Sequence, residues 1–385
     1  MQRVPLTAGP VVNTSPRASG GSPTPLRILY VGYALLPVTD HSCGGAEQML
    51  WTLEREVSAA GHSTTVAATT ESKVSGMLYP TGAPGTGSLQ SAQQYEAVHH
   101  SRVLELIKVR KMIGRPFHLV HDKSGSFFAN ARKLDVPVLA TLHLPQYFYP
   151  RHLFSHLPPN LYFNCVSASQ QKNFAAVPNV LGSIPNGICL ERFPLQVSKA
   201  DYLLWMGRIC EEKGAHIALD VAEVLGIPIV IAGQVYPFSY HQRYFDREIA
   251  PRLERMGDRA TFVRSPSFEK KLELLRRARV LLVPSLVDET SSLVSMEAAA
   301  CGTPVVAFRR GALPEIVQPG VNGFLVNTPE EMALAIEEVS AIDPRHAHDH
   351  AHANFSASEM AAAYLKIYEQ LAYGTARDAE STLAA

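Results

Sequence analysis

The chain contains 385 residues, of which 46% are hydrophobic and 18% are charged, with 35 basic and 35 acidic side chains. This length favours two domains and is ample for two hydrophobic cores. The balanced charge gives no sign of nucleic-acid binding, and no apolar run approaches the roughly 18 residues that a membrane span needs. The five cysteines are scattered without the spacing of metal ligands, which indicates free thiols in a reducing cytoplasm.

The N-terminal stretch leads into a first strand and helix. Residues 1–26 are rich in Pro, Ser, Thr and Gly and lack the apolar centre of a signal peptide, so we predict a disordered tail. A buried strand is predicted at 27–33 and a helix at 48–60. The loop between them contains Gly44 and Gly45. A glycine pair before a helix lets the backbone approach an anion, although a plain turn uses the same residues.

Strands and helices continue to alternate, which predicts a doubly wound α/β domain. The predicted elements are strands at 63–69, 118–121, 137–142 and 164–167 and a long helix at 91–113. Five basic residues lie on or just after that helix: Arg102, Lys108, Arg110, Lys111 and Arg115. They could form a membrane-docking face for a lipid acceptor, but a solvated helix face is the expectation.

The strand predicted at 137–142 is followed by His143 and then by an aromatic-rich stretch. Ligands bind at the carboxyl ends of strands in doubly wound sheets, although a lone histidine there is more often structural. The aromatic residues up to position 163 are Tyr147, Phe148, Tyr149, Phe154, Tyr162 and Phe163. They could stack an acceptor or fill a core.

A second doubly wound domain is predicted after a boundary near 193–199. Its elements are strands at 202–206, 227–232 and 261–264 and helices at 245–256 and 269–277. The first of these strands is followed by Gly207 and by two cations, Arg208 and Lys213. Cations between a strand end and a helix start suit a bound anion, whereas isolated ones would be surface charges.

Residues 278–304 form the most informative stretch. A continuous apolar run predicts a buried parallel strand at 280–283, and a helix is predicted at 293–300 with Ser291 or Ser292 as N-cap. Another strand is predicted at 304–308. The helix is followed by glycine and proline, which stop it.

Two carboxylates bracket the start of the helix predicted at 293–300, Glu289 in the entry loop and Glu297 inside the helix. The backbone amides of Ser292, Leu293 and Val294 would lie between them. Free amides at a helix N-terminus suit phosphate, and carboxylates accept hydrogen bonds from sugar hydroxyls. The plainer alternative makes Glu289 a solvated loop residue and Glu297 a helix-surface acid.

Histidines alternate near the end of the chain, at His346, His348, His350 and His352. They could bind a metal at i, i+4 spacing, but no acidic or cysteine ligand set surrounds them, so we predict a charged linker. A final amphipathic helix is predicted at 356–373.

The motifs from position 202 to 326 closely resemble the donor half of retaining glycosyltransferase family 4. They are Glu-x7-Glu followed by Ala-Ala-Ala-Cys-Gly-Thr-Pro-Val-Val-Ala, then 311–317 and 320–326. The resemblance implies the GT-B architecture, in which two Rossmann-like doubly wound domains face each other across a cleft. After the tail predicted at 1–26 from its composition, the resemblance implies an N-terminal acceptor-binding domain (27–195) and a C-terminal domain for the nucleotide-sugar donor (196–355). It also implies a helix that crosses back to the N-terminal domain (356–376).

The same resemblance implies roles for single residues. Arg208 and Lys213 would neutralise the donor diphosphate, so that no metal or other cofactor is required. Glu289 would contact the donor sugar and phosphate, Glu297 the ribose, and His143 the transferred sugar. The other implied donor-binding residues are Gly44, Gly45, Gly207, Arg264, Ser291, Ser292, Leu293 and Val294. Many relatives carry Phe-Gly or similar at the positions of Ser291 and Ser292, which leaves the sugar open.

The implied activity is transfer of a hexose from a nucleotide diphosphate sugar with retention of configuration. A UDP-glucose-type donor is the first expectation and GDP-mannose the second. The acceptor is not identified: a small molecule, lipid, glycan or protein all fit. The alternatives are a phosphorylase or a nucleotide-sugar epimerase of the same architecture, or a non-catalytic sugar-binding protein. The diphosphate-binding residues argue against the last alternative, because a non-catalytic protein has no need of them.

Overall fold

The structure, a computed structural model, describes residues 25–42, 44–84, 89–236 and 238–383. Most of the predicted N-terminal tail, and also Cys43, lie outside the described residues. Within them the first sheet has seven strands: β1 (Arg27–Val31), β2 (Ser63–Ala68), β3 (Met77–Pro80), β4 (Leu119–Asp122), β5 (Val138–Leu142), β6 (Leu161–Cys165) and β7 (Val180–Ser183). The second has six: β8 (Leu203–Arg208), β9 (Ile229–Gln234), β10 (Ala260–Arg264), β11 (Val280–Val283), β12 (Val305–Phe308) and β13 (Gly323–Val326).

Helices cover both faces of each sheet, as the apolar pattern of the strands predicts. They are α1 (Gly45–Ala59), α2 (Leu89–Met112), α3 (Ala168–Asn173), α4 (Ala215–Leu225), α5 (Ser239–Tyr244), α6 (Ala250–Met256), α7 (Phe268–Arg277), α8 (Leu293–Ala300), α9 (Leu313–Ile316), α10 (Pro329–Glu338), α11 (Pro344–Asn354) and α12 (Ala357–Leu383). Among the helices of the described ranges, none combines the length and apolar character that crossing a membrane requires.

Both sheets are parallel and doubly wound. The strand order is β3-β2-β1-β4-β5-β6-β7 in the first and β10-β9-β8-β11-β12-β13 in the second. Alternate residues of each strand face opposite sides of the sheet and pack in separate hydrophobic cores. In β8, for example, Trp205 packs with Leu282 on one face and Leu204 packs with Leu281 on the other. Two separate sheets confirm the predicted pair of Rossmann-like domains, and each has a switch point, between β1 and β4 and between β8 and β11.

Several element bounds differ from the prediction for local reasons. The strand predicted at 164–167 lies earlier, as β6, because Ser167 is the N-cap of α3 and its hydroxyl accepts the Gln170 N–H. Strand β8 extends to Arg208 because Gly207 pairs with Gly233 of β9. The helix predicted at 245–256 begins earlier and contains a π-helical segment, Phe245–Ile249.

The predicted charged linker at His346–His352 is wrong, because this segment is helix α11. Asp343 caps its N-terminus by accepting the Arg345 N–H, and a proline occupies the first turn. Ala347 and Ala351, one helical turn apart, are fully buried. The imidazole of His348 bonds to the Ala300 carbonyl at the end of α8, 2.6 Å away. Helix α11 therefore supports the helix that follows β11.

Helix α12 returns to the first domain and packs against α1 and β4. Its Tyr364 and Tyr368 are buried among polar side chains of the sheet. The Tyr368 hydroxyl lies 2.6 Å from Nδ1 of His121, and the Asn164 amide donates to the Tyr364 hydroxyl at 3.0 Å. Buried polar groups need partners, so this network fixes where the final helix docks.

Candidate functional site

Two loops meet at the switch point of the second sheet, one after β8 and one after β11. The Leu286 N–H donates to the Glu212 carbonyl at 2.8 Å. At Gly214, φ is +68° and a Cβ atom would lie 2.1 Å from the Pro284 carbonyl oxygen. Only glycine permits this approach. The contact holds Lys213 against the end of β11.

Lys213 and Glu289 form an ion pair at this junction. The ammonium donates to both carboxylate oxygens, at 2.6 and 2.7 Å, and the Ser285 hydroxyl donates to Oε1 at 2.6 Å. The Glu289 side chain is 9% exposed, so the solvated-loop alternative is excluded. An ammonium group has three donors, and one remains for a ligand in the cleft.

Gly311 explains how the loop that carries Glu289 is held. Its φ is +55°, and a Cβ atom there would lie 2.2 Å from the Glu289 carbonyl oxygen. The next residue, Ala312, donates its N–H to that carbonyl at 2.7 Å. The glycine that opens the 311–317 motif therefore lets the backbone after β12 support the Glu289 loop.

The N-terminus of α8 opens toward the same place. Ser292 is the N-cap, but its side chain makes no cap hydrogen bond and instead lies 2.7 Å from the Ser295 hydroxyl. The Ser291 hydroxyl is buried and has no partner within the described ranges. Because the first amides of a helix lack intrahelical acceptors, those of Leu293 and Val294 are available to an anion.

Glu297 is paired with a cation that sequence reasoning missed. Lys271 of α7 donates to its Oε1 at 2.6 Å, whereas Oε2 is buried without a partner among the described residues. Glu297 is 3% exposed, so it is not a helix-surface acid. The only sequence clue to Lys271 was the general need of a buried carboxylate for a partner.

These groups line a cleft of about 360 Å³ that also contacts α1 of the first domain. Of the predicted site, ten residues line it: Gly45, Gly207, Arg208, Lys213, Glu289, Ser291, Ser292, Leu293, Val294 and Glu297. Arg208 is half exposed, and its guanidinium lies 3.7 Å from the Glu212 carboxylate. The cleft thus collects cations, carboxylates and free amides.

Three predicted residues lie beside the cleft lining. Gly44 is the N-cap of α1, directly before Gly45. The Arg264 guanidinium lies over the rings of Phe262 and Phe245, at 5.3 and 5.5 Å, while the following residues 265 and 266 line the cleft. The third is His143.

His143 lies at the end of β5, where the two domains touch. Its carbonyl accepts the Thr290 hydroxyl at 2.8 Å, so its backbone is next to the Glu289 loop. Its Nε2 is buried and without a partner in the described part of the chain. Burial, and secondarily the charge of Lys123, holds the pKa of His143 well below its usual value. The imidazole is therefore neutral and can exchange hydrogen bonds with a hydroxyl.

The aromatic stretch after β5 divides into core and surface residues. Phe163 is fully buried, whereas Tyr147 and Phe148 are 68% and 58% exposed with ring centroids 4.6 Å apart. Partial burial and then the carboxylates of Glu212 and Glu289, among others, raise the pKa of Tyr147. This exposed aromatic pair therefore stands near the charged edge of the cleft.

Two doubly wound domains with a cleft between their loops define the GT-B fold. Residues 200–341 match the model of a family described as Glycosyl transferases group 1. This match covers the segment that contains Arg208, Lys213, Glu289 and Glu297.

Curated relatives align over part of the chain. The D-inositol 3-phosphate glycosyltransferase of Mycolicibacterium vanbaalenii is 44% identical over 119 residues, which are 29% of this chain and 26% of that protein. The corresponding protein of Saccharomonospora viridis is 31% identical over 225 residues, 51% of this chain and 52% of its own length. The chain thus spans between a quarter and about half of the length of these relatives.

Solved structures share the fold along most of the chain. Sucrose-phosphate synthase from Thermosynechococcus elongatus has a TM-score of 0.71 at 20% identity, covering 90% of this chain and 99% of its own. Anabaena HepE, solved in complex with UDP and glucose, has a TM-score of 0.69 at 17% identity, covering 90% and 100%. At these identities the likeness shows the fold alone.

Proposed function

We propose that this protein is a glycosyltransferase that moves a hexose from a nucleotide diphosphate sugar to an acceptor, with retention of configuration. The observation that carries the proposal is the Lys213–Glu289 pair beside the uncapped N-terminus of α8. The family match over 200–341 supports it. A UDP-glucose-type donor is our first choice and GDP-mannose the second.

The cleft offers a partner for each part of such a donor. The diphosphate would lie at the amides of Leu293 and Val294, near the cations Arg208 and Lys213. The free Oε2 of Glu297 would accept a ribose hydroxyl, which supplies the hydrogen bond that this buried oxygen lacks. The base would lie by residues 265 and 266, and the sugar by Glu289.

The chemistry follows from where charge develops. As the glycosidic bond breaks, negative charge grows on the leaving diphosphate, and Arg208 and Lys213 stabilise it without a metal as co-reactant. Two carboxylates flanking the bond would indicate double displacement, but Glu289 and Glu297 belong to one helix and its entry loop. The acceptor hydroxyl would attack on the face that the diphosphate leaves, and its proton would pass to a donor phosphate oxygen.

The N-terminal domain would hold the acceptor and complete the sugar site. The neutral imidazole of His143, with its free Nε2, is suited to a sugar hydroxyl. Tyr147 and Phe148 offer an exposed aromatic surface on which an acceptor can stack. These features do not select among small-molecule, lipid, glycan and protein acceptors.

The test is an acceptor screen that measures release of the nucleoside diphosphate from UDP-glucose and, separately, GDP-mannose. We expect release only when a suitable acceptor is present, in EDTA as well as in Mg²⁺. Formation of a sugar 1-phosphate from a glycoside and inorganic phosphate, with no nucleotide sugar consumed, would indicate a phosphorylase. Conversion of the nucleotide sugar without net release of the nucleoside diphosphate would indicate an epimerase. If neither donor released its nucleoside diphosphate with any acceptor and neither bound in calorimetry, a non-catalytic protein would remain and the proposal would be refuted.

A further inference from the structure

A cluster of metal-ligand side chains lies beside the cleft, and none of the three is assigned a contact with the donor. Cys210, Glu212 and His241 each offer one ligand atom, and these atoms all lie within 4.8 Å of one another. Cys210 and Glu212 belong to the turn after β8, and His241 to the short helix α5 after β9. Neighbouring strands β8 and β9 bring the two segments together.

The surroundings of His241 independently indicate a missing ligand. Its side chain is buried, with 1% exposure, and neither ring nitrogen has a hydrogen-bond partner in the described part of the chain. The buried His121, by contrast, bonds through both nitrogens, to Tyr368 and Thr141. Buried polar atoms without partners are rare in folded proteins and call for an explanation. An imidazole nitrogen close to a thiol and a carboxylate has an evident partner in a metal ion.

We propose that Cys210, Glu212 and His241 bind one zinc ion or a similar thiophilic divalent cation. A sulfur, an imidazole nitrogen and a carboxylate oxygen are a donor set that zinc takes in proteins, and three protein ligands leave a fourth position for water. Ligand atoms around a tetrahedral zinc are separated by roughly 3.3–3.9 Å. Because the present separations are at most 4.8 Å, the three groups need to approach by at most about 1.5 Å.

The side chains of Cys210 and Glu212 already hydrogen-bond to each other, and both also contact Arg208. The Cys210 thiol donates to the Arg208 carbonyl at 3.5 Å, and the Glu212 carboxylate lies 3.7 Å from the Arg208 guanidinium. On binding, Cys210 loses its proton to solvent and its sulfur bonds to the metal, with no change of oxidation state. Thiolate and carboxylate together balance the charge of the cation.

The position of the site gives it a structural consequence. The turn after β8 contains Cys210 and Glu212 between Arg208 and Lys213, and α5 contains His241. A bound cation would cross-link this turn to α5 and reduce its freedom. The proposal does not depend on the proposed transferase activity, because metal binding is measured by itself.

The test is titration of the metal-free full chain with Co²⁺, whose absorption reports its ligands, followed by displacement with Zn²⁺. We expect one tight site per chain, release of a proton, and a thiolate-to-cobalt charge-transfer band. That band should be lost in Cys210→Ser, and the affinity should fall on the order of 100-fold in His241→Ala. The matched control is Cys301→Ser, another buried cysteine, which should retain the band.

Glu212→Gln adds a variant of nearly the same shape at a half-buried position, with an expected affinity loss of about tenfold or more. Cobalt bound to the histidines of α11 would lack the thiolate band and would persist in Cys210→Ser. That result, or a thiolate band retained in Cys210→Ser, or no stoichiometric binding by the unaltered chain, would overturn the proposal.

Discussion

The two sheets share a strand order around their switch points, yet their polar residues have different partners. After the strand β11 of the second sheet, Glu289 of the loop and Glu297 of α8 are paired with lysines and line the cleft. In the first, His121, Thr141 and Asn164 are buried and bond to one another and to tyrosines of α12. The same topology thus places polar groups at a candidate ligand site in one domain and at a helix-docking surface in the other.

This difference indicates that the two domains make different kinds of contact in the cleft. The second domain brings charges of both signs to its loops, as binding of a diphosphate and hydroxyls requires. The first domain lines the cleft through α1, the loop at 39–42 before it and the segment 188–193. The exposed aromatic pair after β5 lies outside that lining, near the charged edge. Donor contacts are therefore expected to depend on ion pairs, and acceptor contacts on neutral and aromatic groups. The following predictions test that division.

The largest expected effect is that of Lys213→Ala. Removal of this cation should lower turnover by a factor on the order of 100 or more, because a lost charge-stabilising contact costs about 3 kcal/mol. It also leaves Glu289 buried without its partner. Steady-state kinetics with saturating donor measure the effect. Lys270→Ala, an exposed lysine of α7, is the control. Undiminished turnover in Lys213→Ala would contradict the assigned role.

Glu297→Gln should act on donor affinity rather than on turnover. Loss of a hydrogen bond to a charged acceptor weakens binding by roughly 10- to 100-fold. A ribose contact is the same in the ground and transition states, so kcat should change little. Lys271→Met, which removes the partner of Glu297, should show the same pattern more weakly. A fall in kcat with unchanged donor affinity would assign Glu297 to the chemical step instead.

His143→Ala should weaken the contact with the transferred sugar and leave binding of the nucleoside diphosphate unchanged. We expect about a tenfold loss in kcat/KM for the donor sugar, from one hydrogen bond, and unchanged affinity for the free nucleoside diphosphate. Calorimetry and kinetics on the same preparation make the comparison, with the exposed His346→Ala as control. Equal losses for the nucleotide sugar and the nucleoside diphosphate would show that His143 acts through structure alone.

Lys123 gives the first domain a pH-dependent stability. Burial lowers its pKa to about 7, whereas an unfolded lysine titrates near 10.4. Between these values the unfolded chain binds more protons, so the free energy of unfolding rises with pH. Lys123→Met should lower that slope by up to about 1.4 kcal/mol per pH unit between roughly pH 7 and 10.

Denaturant titrations of Lys123→Met across that pH range provide the measurement. The matched control is Lys108→Met, which removes an exposed lysine of α2. An unchanged slope in Lys123→Met would mean that the amine is solvated in the folded protein.

Local pattern predicted the second domain better than the first. The bounds of β11 and α8 were predicted correctly, because a continuous apolar run and a cap with a glycine stop are signals within a few residues. The motifs predicted that Lys213 and Glu289 serve one site, but the ion pair between them is a finding of the structure. Strand β6 was misplaced because the competing signal, a serine cap for α3, is equally local.

What the sequence did not reveal depends on contacts between distant positions. Lys271 meets Glu297 only when α7 packs beside α8, and His241 meets Cys210 only through the pairing of β9 with β8. Helix α11 was predicted as a linker because its alternating histidines are polar, whereas the residues that pack it against the domain are the two alanines between them, which are fully buried. Neither spacing nor composition reports such tertiary partners.

Calorimetric titration of the protein with UDP and with GDP, with and without EDTA, is the most direct test for a nucleotide diphosphate site in the second domain. We expect saturable binding of one nucleoside diphosphate per chain in both buffers, weakened on the order of tenfold or more in Lys213→Ala. No binding of either nucleotide, or equal binding by Lys213→Ala, would contradict the claim that the second domain holds a nucleotide diphosphate donor.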